Sequence, residues 1–158
     1  MTDNRSDLQP GQALARGVCR FLIDEGLAPV TELSPVRGLR TDVTALAPNG
    51  EIWVVECKSS IADFRSDGKW EGYLDWCDRF FFAAPADLPD DLLPEDQGLM
   101  IADGYGAEIV RPAEKRPLAA ARRKAQTQRI ARVTALRLRA LSDPGVAALI
   151  SAEDLDEG

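Results

Sequence analysis

Histidine is absent from the 158 residues, and this absence excludes several classes of enzyme. Catalytic triads with a histidine base, HEXXH zinc proteases and nucleases with histidine metal ligands all need the imidazole ring. The three cysteines, Cys19, Cys57 and Cys77, are far apart and odd in number, so neither a zinc knuckle nor a disulfide framework is expected. Any chemistry therefore has to use carboxylates, lysine, arginine and hydroxyl groups.

Long apolar runs are also missing. No stretch of about 18 uncharged apolar residues occurs, so no membrane span is expected. The first residues lack the basic and then apolar order of a signal peptide, which predicts a cytoplasmic protein. The length and the 45% share of hydrophobic residues predict one domain, or one domain with an appendage, around a substantial core.

Charged residues are distributed unevenly along the chain. Residues 1–110 hold 9 basic and 20 acidic residues, and residues 142–158 hold 5 acidic residues and no basic ones. Residues 111–141 instead hold 10 basic residues and 1 acidic residue. The formal net charge of −7 therefore does not exclude a nucleic-acid partner. The basic segment is interpreted either as a surface that follows a phosphate backbone or as a solvated face that complements the acidic core.

Apolar periodicity and turn residues predict an α/β fold with a mixed central sheet. Helices are predicted over 11–25, 61–76 and 118–141, and strands over 29–33, 39–47, 51–58, 79–84, 98–102 and 107–110, the last two forming a hairpin. This order predicts a core over 1–110 and a basic helix with a mobile acidic tail over 111–158. The long helix carries an apolar stripe that we expect to dock on another element, formed by Ile130, Val133, Leu136 and Leu141.

The turn at Pro48-Asn49-Gly50 predicts a register between two of these strands. A three-residue loop with glycine in the left-handed position is a common hairpin connection. It pairs residues whose numbers add up to 98, so Asp42 lies directly opposite Glu56, with Cβ atoms about 5 Å apart. Because side chains alternate along a strand, Lys58 lies on the same face as Glu56.

Two carboxylates that converge at the edge of a core need compensation for their charges. A shared proton is one solution. A hard divalent cation is another, since Mg²⁺ is held by one or two carboxylates together with water and phosphate. Lys58 would add a positive charge near a scissile phosphate, which is the equipment for metal-assisted hydrolysis of phosphodiesters. The alternative is a plain strand whose polar end is solvated.

Several motifs around these residues resemble a known family over roughly residues 12–112. They are Glu32-Leu33, Gly38-Leu39-Arg40-Thr41-Asp42-Val43, Glu56-Cys57-Lys58-Ser59-Ser60, Asp63-Phe64, Asp67-Gly68-Lys69-Trp70, Tyr73 and Cys77-Asp78-Arg79-Phe80-Phe81-Phe82-Ala83. Together they are similar to the MmcB-like DNA repair proteins, which are assigned to the PD-(D/E)XK nuclease superfamily. The resemblance implies a restriction-endonuclease-like αβββαβ core, to which this chain adds the C-terminal hairpin and the long basic helix.

The resemblance also implies a site. Asp42 and Glu56 would bind Mg²⁺ or Mn²⁺ with the backbone carbonyl of Cys57, and Lys58 would be the catalytic lysine. A further acid comes from the first helix or just after it in this superfamily; Glu32 is preferred over Glu25 because it lies within the family-like stretch.

The implied function is a Mg²⁺-dependent DNA endonuclease or end-processing nuclease in DNA repair. The alternative is a catalytically inactive nuclease fold that binds DNA or serves as an adaptor. Other repair proteins and a second copy of the chain are possible partners in both cases.

Residues around the site and on the basic helix are candidates for contacts with nucleic acid. They are Arg40, Ser59, Lys69, Trp70, Tyr73, Arg122, Arg129, Arg132 and Arg139. Each has a structural alternative: the aromatic residues are equally typical of a core, a serine at 59 or 60 caps the next helix, and the arginines fit a solvated face.

Overall fold

A six-stranded sheet with strand order β1-β2-β3-β4-β5-β6 forms the centre of the computed structural model, which describes residues 8–156. The strands are β1 (Ala28–Val36), β2 (Leu39–Leu46), β3 (Ile52–Cys57), β4 (Arg79–Ala84), β5 (Gly98–Ala102) and β6 (Ala107–Arg111). Strands β3, β4 and β5 are parallel to one another, and the other neighbours are antiparallel. The helices are α1 (Pro10–Asp24), α2 (Ile61–Ser66), α3 (Ala120–Ser142) and α4 (Ala152–Asp156). The predicted αβββαβ order, the mixed sheet and the final hairpin are confirmed.

Helix α1 begins and ends where its sequence provides the signals. Gln9 and Gln12 form a reciprocal capping box, and Pro10 occupies the first turn. Gly26, with a φ of 85°, ends the helix in the left-handed conformation. Gly17 lets α1 approach the β5–β6 hairpin closely, because a Cβ atom there would lie 1.7 Å from the carbonyl oxygen of Asp103.

The two faces of the sheet carry different cores. Helix α1 covers a face rich in aliphatic side chains, among them Leu14, Val18, Leu22, Val43 and Val55. The other face packs around aromatic rings, with Phe80 and Phe82 in edge-to-face contact at 5.0 Å between centroids. Helix α3 covers the β1 edge through Ile130 and Val133, which are buried against Val30 and Leu33. Asp42 on β2 and Glu56 on β3 therefore belong to strands that are packed on both faces of the sheet.

The predicted continuous helix over 61–76 is wrong. Helix α2 ends at Ser66, and a separate 3-10 helix follows at Trp70–Trp76. The break is at Asp67, which has extended backbone torsions and whose side chain accepts a hydrogen bond from the Lys69 amide at 2.8 Å. Such a side chain competes with the helical hydrogen bonds of the backbone.

The C-terminal region also differs from expectation. Residues 144–156 are not a mobile tail, because a 3-10 helix, Pro144–Leu149, leads into α4, where Leu155 packs beside Val30 and Val133. Ser151 and Asp154 cap α4 reciprocally. The tail residues 157 and 158 lie outside the described part of the chain. Leu141 does not dock as expected, since 82% of it is exposed.

No helix among residues 8–156 is long and apolar enough to cross a membrane.

Candidate active site

The register between β2 and β3 is the predicted one. Val43 pairs with Val55, Thr44 with Val54, and Leu46 with Ile52. The numbers of each pair add up to the predicted 98, so the next position places Asp42 opposite Glu56.

Side chains take over the hydrogen bonding where the backbone ladder of β2 and β3 ends. The Asp42 amide donates to Oε1 of Glu56 at 2.9 Å, and the Cys57 amide donates to Oδ2 of Asp42 at 2.8 Å. Each carboxylate thus holds a backbone N–H of the opposite strand. This reciprocal pair, called the acid pair below, fixes both side chains against the sheet.

Burial perturbs both members of the acid pair, and the charge of Asp42 adds to this effect at Glu56. Glu56 is only 4% exposed, and burial together with the charge of Asp42 raises its pKa to about 9. Burial also raises the pKa of Asp42, although the Cys57 amide and the charge of Lys58 oppose that rise. Two carboxyl groups in this situation need a proton or a cation.

The acid pair suits a hard cation by the chemistry of its donors. The described residues donate hydrogen bonds to one oxygen of each carboxylate, and two carboxylates are the number with which Mg²⁺ is usually bound. Within residues 8–156, however, no group of three or more histidine, cysteine, aspartate or glutamate side chains is arranged to hold a metal ion. Any further ligands would therefore be water, backbone or substrate oxygens, or a side chain that moves.

Lys58 lies at the end of β3 and is 5% exposed. Its ammonium group forms an ion pair with Asp67 at 2.6 Å. Burial lowers the pKa of Lys58, but the hydrogen bond and charge of Asp67, together with the charge of Glu56, outweigh it and leave the pKa above its usual value. Lys58 therefore stays charged beside the acid pair. Asp67 belongs to the Asp67-Gly68-Lys69-Trp70 motif, but this role could not be predicted from the sequence, because nothing local indicates a partner nine residues away.

Glu32 lies on β1, the strand next to the one that carries Asp42. Thr31 pairs with Val43 and Leu33 with Thr41, which places Glu32 opposite Asp42. Glu32 and Asp42 line one open cleft together with residues from the start of α1, among them Gln12 and Arg16. Among residues 8–156, Glu32 is the one non-glycine residue with a positive φ, 52°, a conformation that costs an L-residue about 1–2 kcal/mol. Glu25, the other acid considered, follows the opposite end of α1.

The aromatic candidates lie in the core. Tyr73 is buried, stacks against Phe80 and donates its hydroxyl hydrogen to the carbonyl of Arg40 at 2.8 Å. Trp70 is half-buried between Phe80 and Phe82. The packing therefore supports a core role for both aromatic residues over contact with nucleic acid.

The polar candidates next to the acid pair divide into two groups. Arg40 and Lys69 are exposed. Ser59 bonds to Asp63 through both its amide and its hydroxyl group, and Ser60 caps α2. Arg40 and Lys69 thus remain accessible to a ligand, whereas Ser59 already has a partner.

The arginines predicted on the long helix also differ in their surroundings. Arg122 lies 4.8 Å from the ring centre of Trp76 and donates to the carbonyl of Asp75. Arg129 is half-buried and has partners in the structure, whereas Arg132 and Arg139 are exposed. The C-terminal half of α3 approaches the candidate site, because Arg137, which the sequence analysis did not single out, bonds to the carbonyls of Thr31 and Glu32.

A second buried carboxylate, Asp78, is surrounded by hydrogen-bond donors and has a structural role. It accepts hydrogen bonds from the amides of Ile52 and Leu118 at 2.7 and 2.9 Å. Two guanidinium nitrogens of Arg123 donate to it as well, at 2.6 and 2.7 Å. Burial alone would raise the pKa of Asp78, but these donors lower it to about 2. Asp78 therefore ties α3 to the sheet, and it accounts for part of the complementarity between the basic helix and the acidic core.

These elements define a mixed α/β protein with an acid pair and a lysine at the end of its central hairpin. Residues 2–145 match the family described as DNA repair protein MmcB-like, and the chain belongs to this family. No curated protein matches it.

Two solved structures are similar to the chain. A protein of unknown function from Silicibacter pomeroyi is 58% identical, with 88% of this chain and 95% of that chain covered and a TM-score of 0.86. A repair endonuclease from Pyrococcus abyssi is 22% identical over 45% of this chain and 34% of that chain, with a TM-score of 0.32. The second similarity is too weak to support an argument.

Proposed function

We propose that the protein is a metal-dependent nuclease that hydrolyses phosphodiester bonds of DNA during repair. The observation that carries this proposal is the acid pair: the buried Glu56 and the half-buried Asp42, both with raised pKa values, are held by reciprocal hydrogen bonds next to a charged lysine. Membership of a DNA repair family supports DNA as the substrate.

Each polar group of the site has a role in this proposal. Asp42 and Glu56 would hold Mg²⁺ or Mn²⁺ together with the carbonyl of Cys57. Glu32 lines the same cleft as Asp42 and would add a third carboxylate once its side chain turns towards the acid pair. When bound, the metal supplies Lewis-acid polarisation of a phosphate and lowers the pKa of a bound water.

Lys58 would stabilise the negative charge that develops on the phosphate. Its ammonium group is held by Asp67 at 2.6 Å, so it is oriented before a substrate arrives. An incoming phosphate competes with Asp67 for the hydrogens of this group. Because Asp67 keeps Lys58 protonated, the lysine acts as a cation rather than as a base.

Contacts with the DNA backbone would come from the exposed basic residues. Arg40 and Lys69 flank the site, and Arg132 and Arg139 extend the positive surface along α3. Such contacts release condensed counterions, so binding should weaken steeply as salt rises.

A catalytically inactive DNA-binding module is the second candidate function. Two observations favour it: the positive charge of Lys58 is already paired with Asp67, and the acid pair has no third acid in coordinating position among the described residues. In that case the protein would bind DNA with the same salt dependence but would not cut it.

A cleavage assay with Mg²⁺ and Mn²⁺ on single-stranded, duplex, branched and damaged DNA separates the two candidates. The nuclease hypothesis expects cutting that Asp42→Asn, Glu56→Gln and Lys58→Met each abolish. Glu108→Gln, an exposed carboxyl on β6, is the matched control and should cut normally. Salt-sensitive binding without cutting would favour the binding module, and cutting that survives Glu56→Gln would refute the site assignment.

A further inference from the structure

Arg137 of α3 connects the basic helix to the edge strand β1. Its guanidinium group donates to the carbonyl oxygen of Thr31 through Nη1 and to that of Glu32 through Nη2, the latter at 2.8 Å. In a regular strand, successive carbonyls point in opposite directions, so one side chain does not reach both. Here both are within reach of a single planar group, because Glu32 departs from strand geometry.

The two carbonyl groups that Arg137 binds lie on either side of the two rotatable backbone bonds of Glu32. The Thr31 carbonyl is attached to the Glu32 nitrogen, and the Glu32 carbonyl follows its Cα atom, so φ and ψ of Glu32 lie between them. A guanidinium group presents its donors in a rigid fork. Holding both carbonyls therefore fixes both torsions, including the φ of 52° that the residue would otherwise leave.

We infer that Arg137 is a positioning residue that keeps Glu32 in its left-handed conformation, at the cleft that Glu32 lines together with Asp42. This inference rests on the proposed function, in which Glu32 is the third acid of the metal site. It adds a physical connection between α3 and that site, since the same helix that carries the exposed arginines sets the backbone of one ligand. Arg137 itself touches neither metal nor substrate in this role.

Replacing Arg137 should change the metal affinity in opposite directions, depending on whether its role is to position Glu32 or is purely electrostatic. Removing a positive charge near a cation site should tighten cation binding, because a repulsion is lost. Removing a group that orients a ligand should weaken metal binding, by about tenfold or more for typical second-sphere partners. Arg137→Lys keeps the charge but loses the fork, and so isolates the positioning contribution.

The test is a calorimetric titration of the full chain with Mn²⁺ alone. Arg137→Lys and Arg137→Ala should both weaken Mn²⁺ binding about tenfold or more. Arg37→Ala removes an exposed charge on the turn after β1 and is the control, with unchanged or slightly tighter binding. In a Glu32→Gln background, Arg137→Lys should have no further effect on the Mn²⁺ affinity, because the carboxylate that it positions is gone.

Amide hydrogen exchange at Glu32 and Leu33 provides a readout without metal. Exchange there should accelerate in Arg137→Lys but not in Arg37→Ala. Unchanged exchange, or Mn²⁺ affinity equal to that of the wild type, would overturn the role of Arg137 and leave the proposed function intact. A wild-type chain that binds no Mn²⁺ would overturn the proposed metal site, and the role of Arg137 in it.

Discussion

Replacing Glu56 with glutamine should make the protein more stable while it removes the proposed metal site. The amide keeps the size of the side chain and can still accept the hydrogen bond from the Asp42 amide, which is 2.9 Å from Oε1. The substitution removes the free-energy cost of keeping a buried carboxyl group either protonated or charged.

The size of the effect follows from the pKa of Glu56. The folded protein binds a proton on this group up to about pH 9, whereas the unfolded chain releases it near its ordinary value of 4.5. Between these values the native state binds more protons than the unfolded state, so wild-type stability falls as pH rises. The cost to the wild type is under about 1 kcal/mol at pH 5, about 3 kcal/mol at pH 7 and about 4 kcal/mol or more at pH 8.

Urea denaturation of the wild type and Glu56→Gln between pH 5 and pH 8, without divalent cations, measures this difference. The free energy of unfolding should be nearly equal at pH 5 and should favour the variant increasingly towards pH 8. Glu108→Gln should show no such divergence. A constant difference between wild type and Glu56→Gln across this range would refute the argument, because it would mean that Glu56 titrates as it does in the unfolded chain.

Addition of Mg²⁺ at pH 8 extends the same experiment. A ligand that binds only the folded state at a hundred times its Kd stabilises it by about 3 kcal/mol. Mg²⁺ should therefore restore wild-type stability and leave Glu56→Gln unchanged. Equal stabilisation of both proteins would place the cation elsewhere.

Three further outcomes are expected. Asp78→Asn should destabilise the fold. The free energy of unfolding of the wild type should fall by about 2 kcal/mol between pH 5 and pH 2, and that of the variant should not, because a pKa lowered from 3.8 to about 2 stabilises the folded state at high pH and this stabilisation is lost as pH falls. Urea denaturation over this pH range measures the difference, and parallel curves would contradict it. Gly17→Ala should lower the free energy of unfolding by about 3 kcal/mol, because its Cβ meets the Asp103 carbonyl; denaturation with Gly11→Ala as the control tests it. Arg132→Ala with Arg139→Ala should reduce the slope of log affinity against log salt for duplex DNA by about 2, and an unchanged slope would remove α3 from the interface.

Local signals were sufficient for much of the fold. The Pro48-Asn49-Gly50 turn determined the register of β2 and β3, because a short loop leaves the strands few ways to pair. That register in turn placed Asp42 opposite Glu56, so the centre of the candidate site could be predicted without knowledge of the rest of the chain.

Features that depend on distant residues could not be predicted in the same way. The helix over 61–76 breaks at Asp67, whose side chain binds Lys58 and the Lys69 amide, and periodicity does not report such partners. The Asp78–Arg123 pair joins residues 45 positions apart. Leu155 holds α4 in place by packing on β1 and α3, although composition alone favoured a mobile tail.

Two buried carboxyl groups in this protein have opposite surroundings, and the contrast bears on function. Asp78 receives hydrogen bonds from two backbone amides and a forked guanidinium, and its pKa falls to about 2. Glu56 receives one backbone amide from the described residues and faces a second carboxylate, and its pKa rises to about 9. The same fold therefore supplies full compensation where the role is structural and leaves it incomplete at the end of β3. Below about pH 9, Glu56 compensates by keeping a proton, at a cost in stability that grows with pH. In the proposed metal site a hard cation would replace that proton, since the acid pair presents oxygen donors.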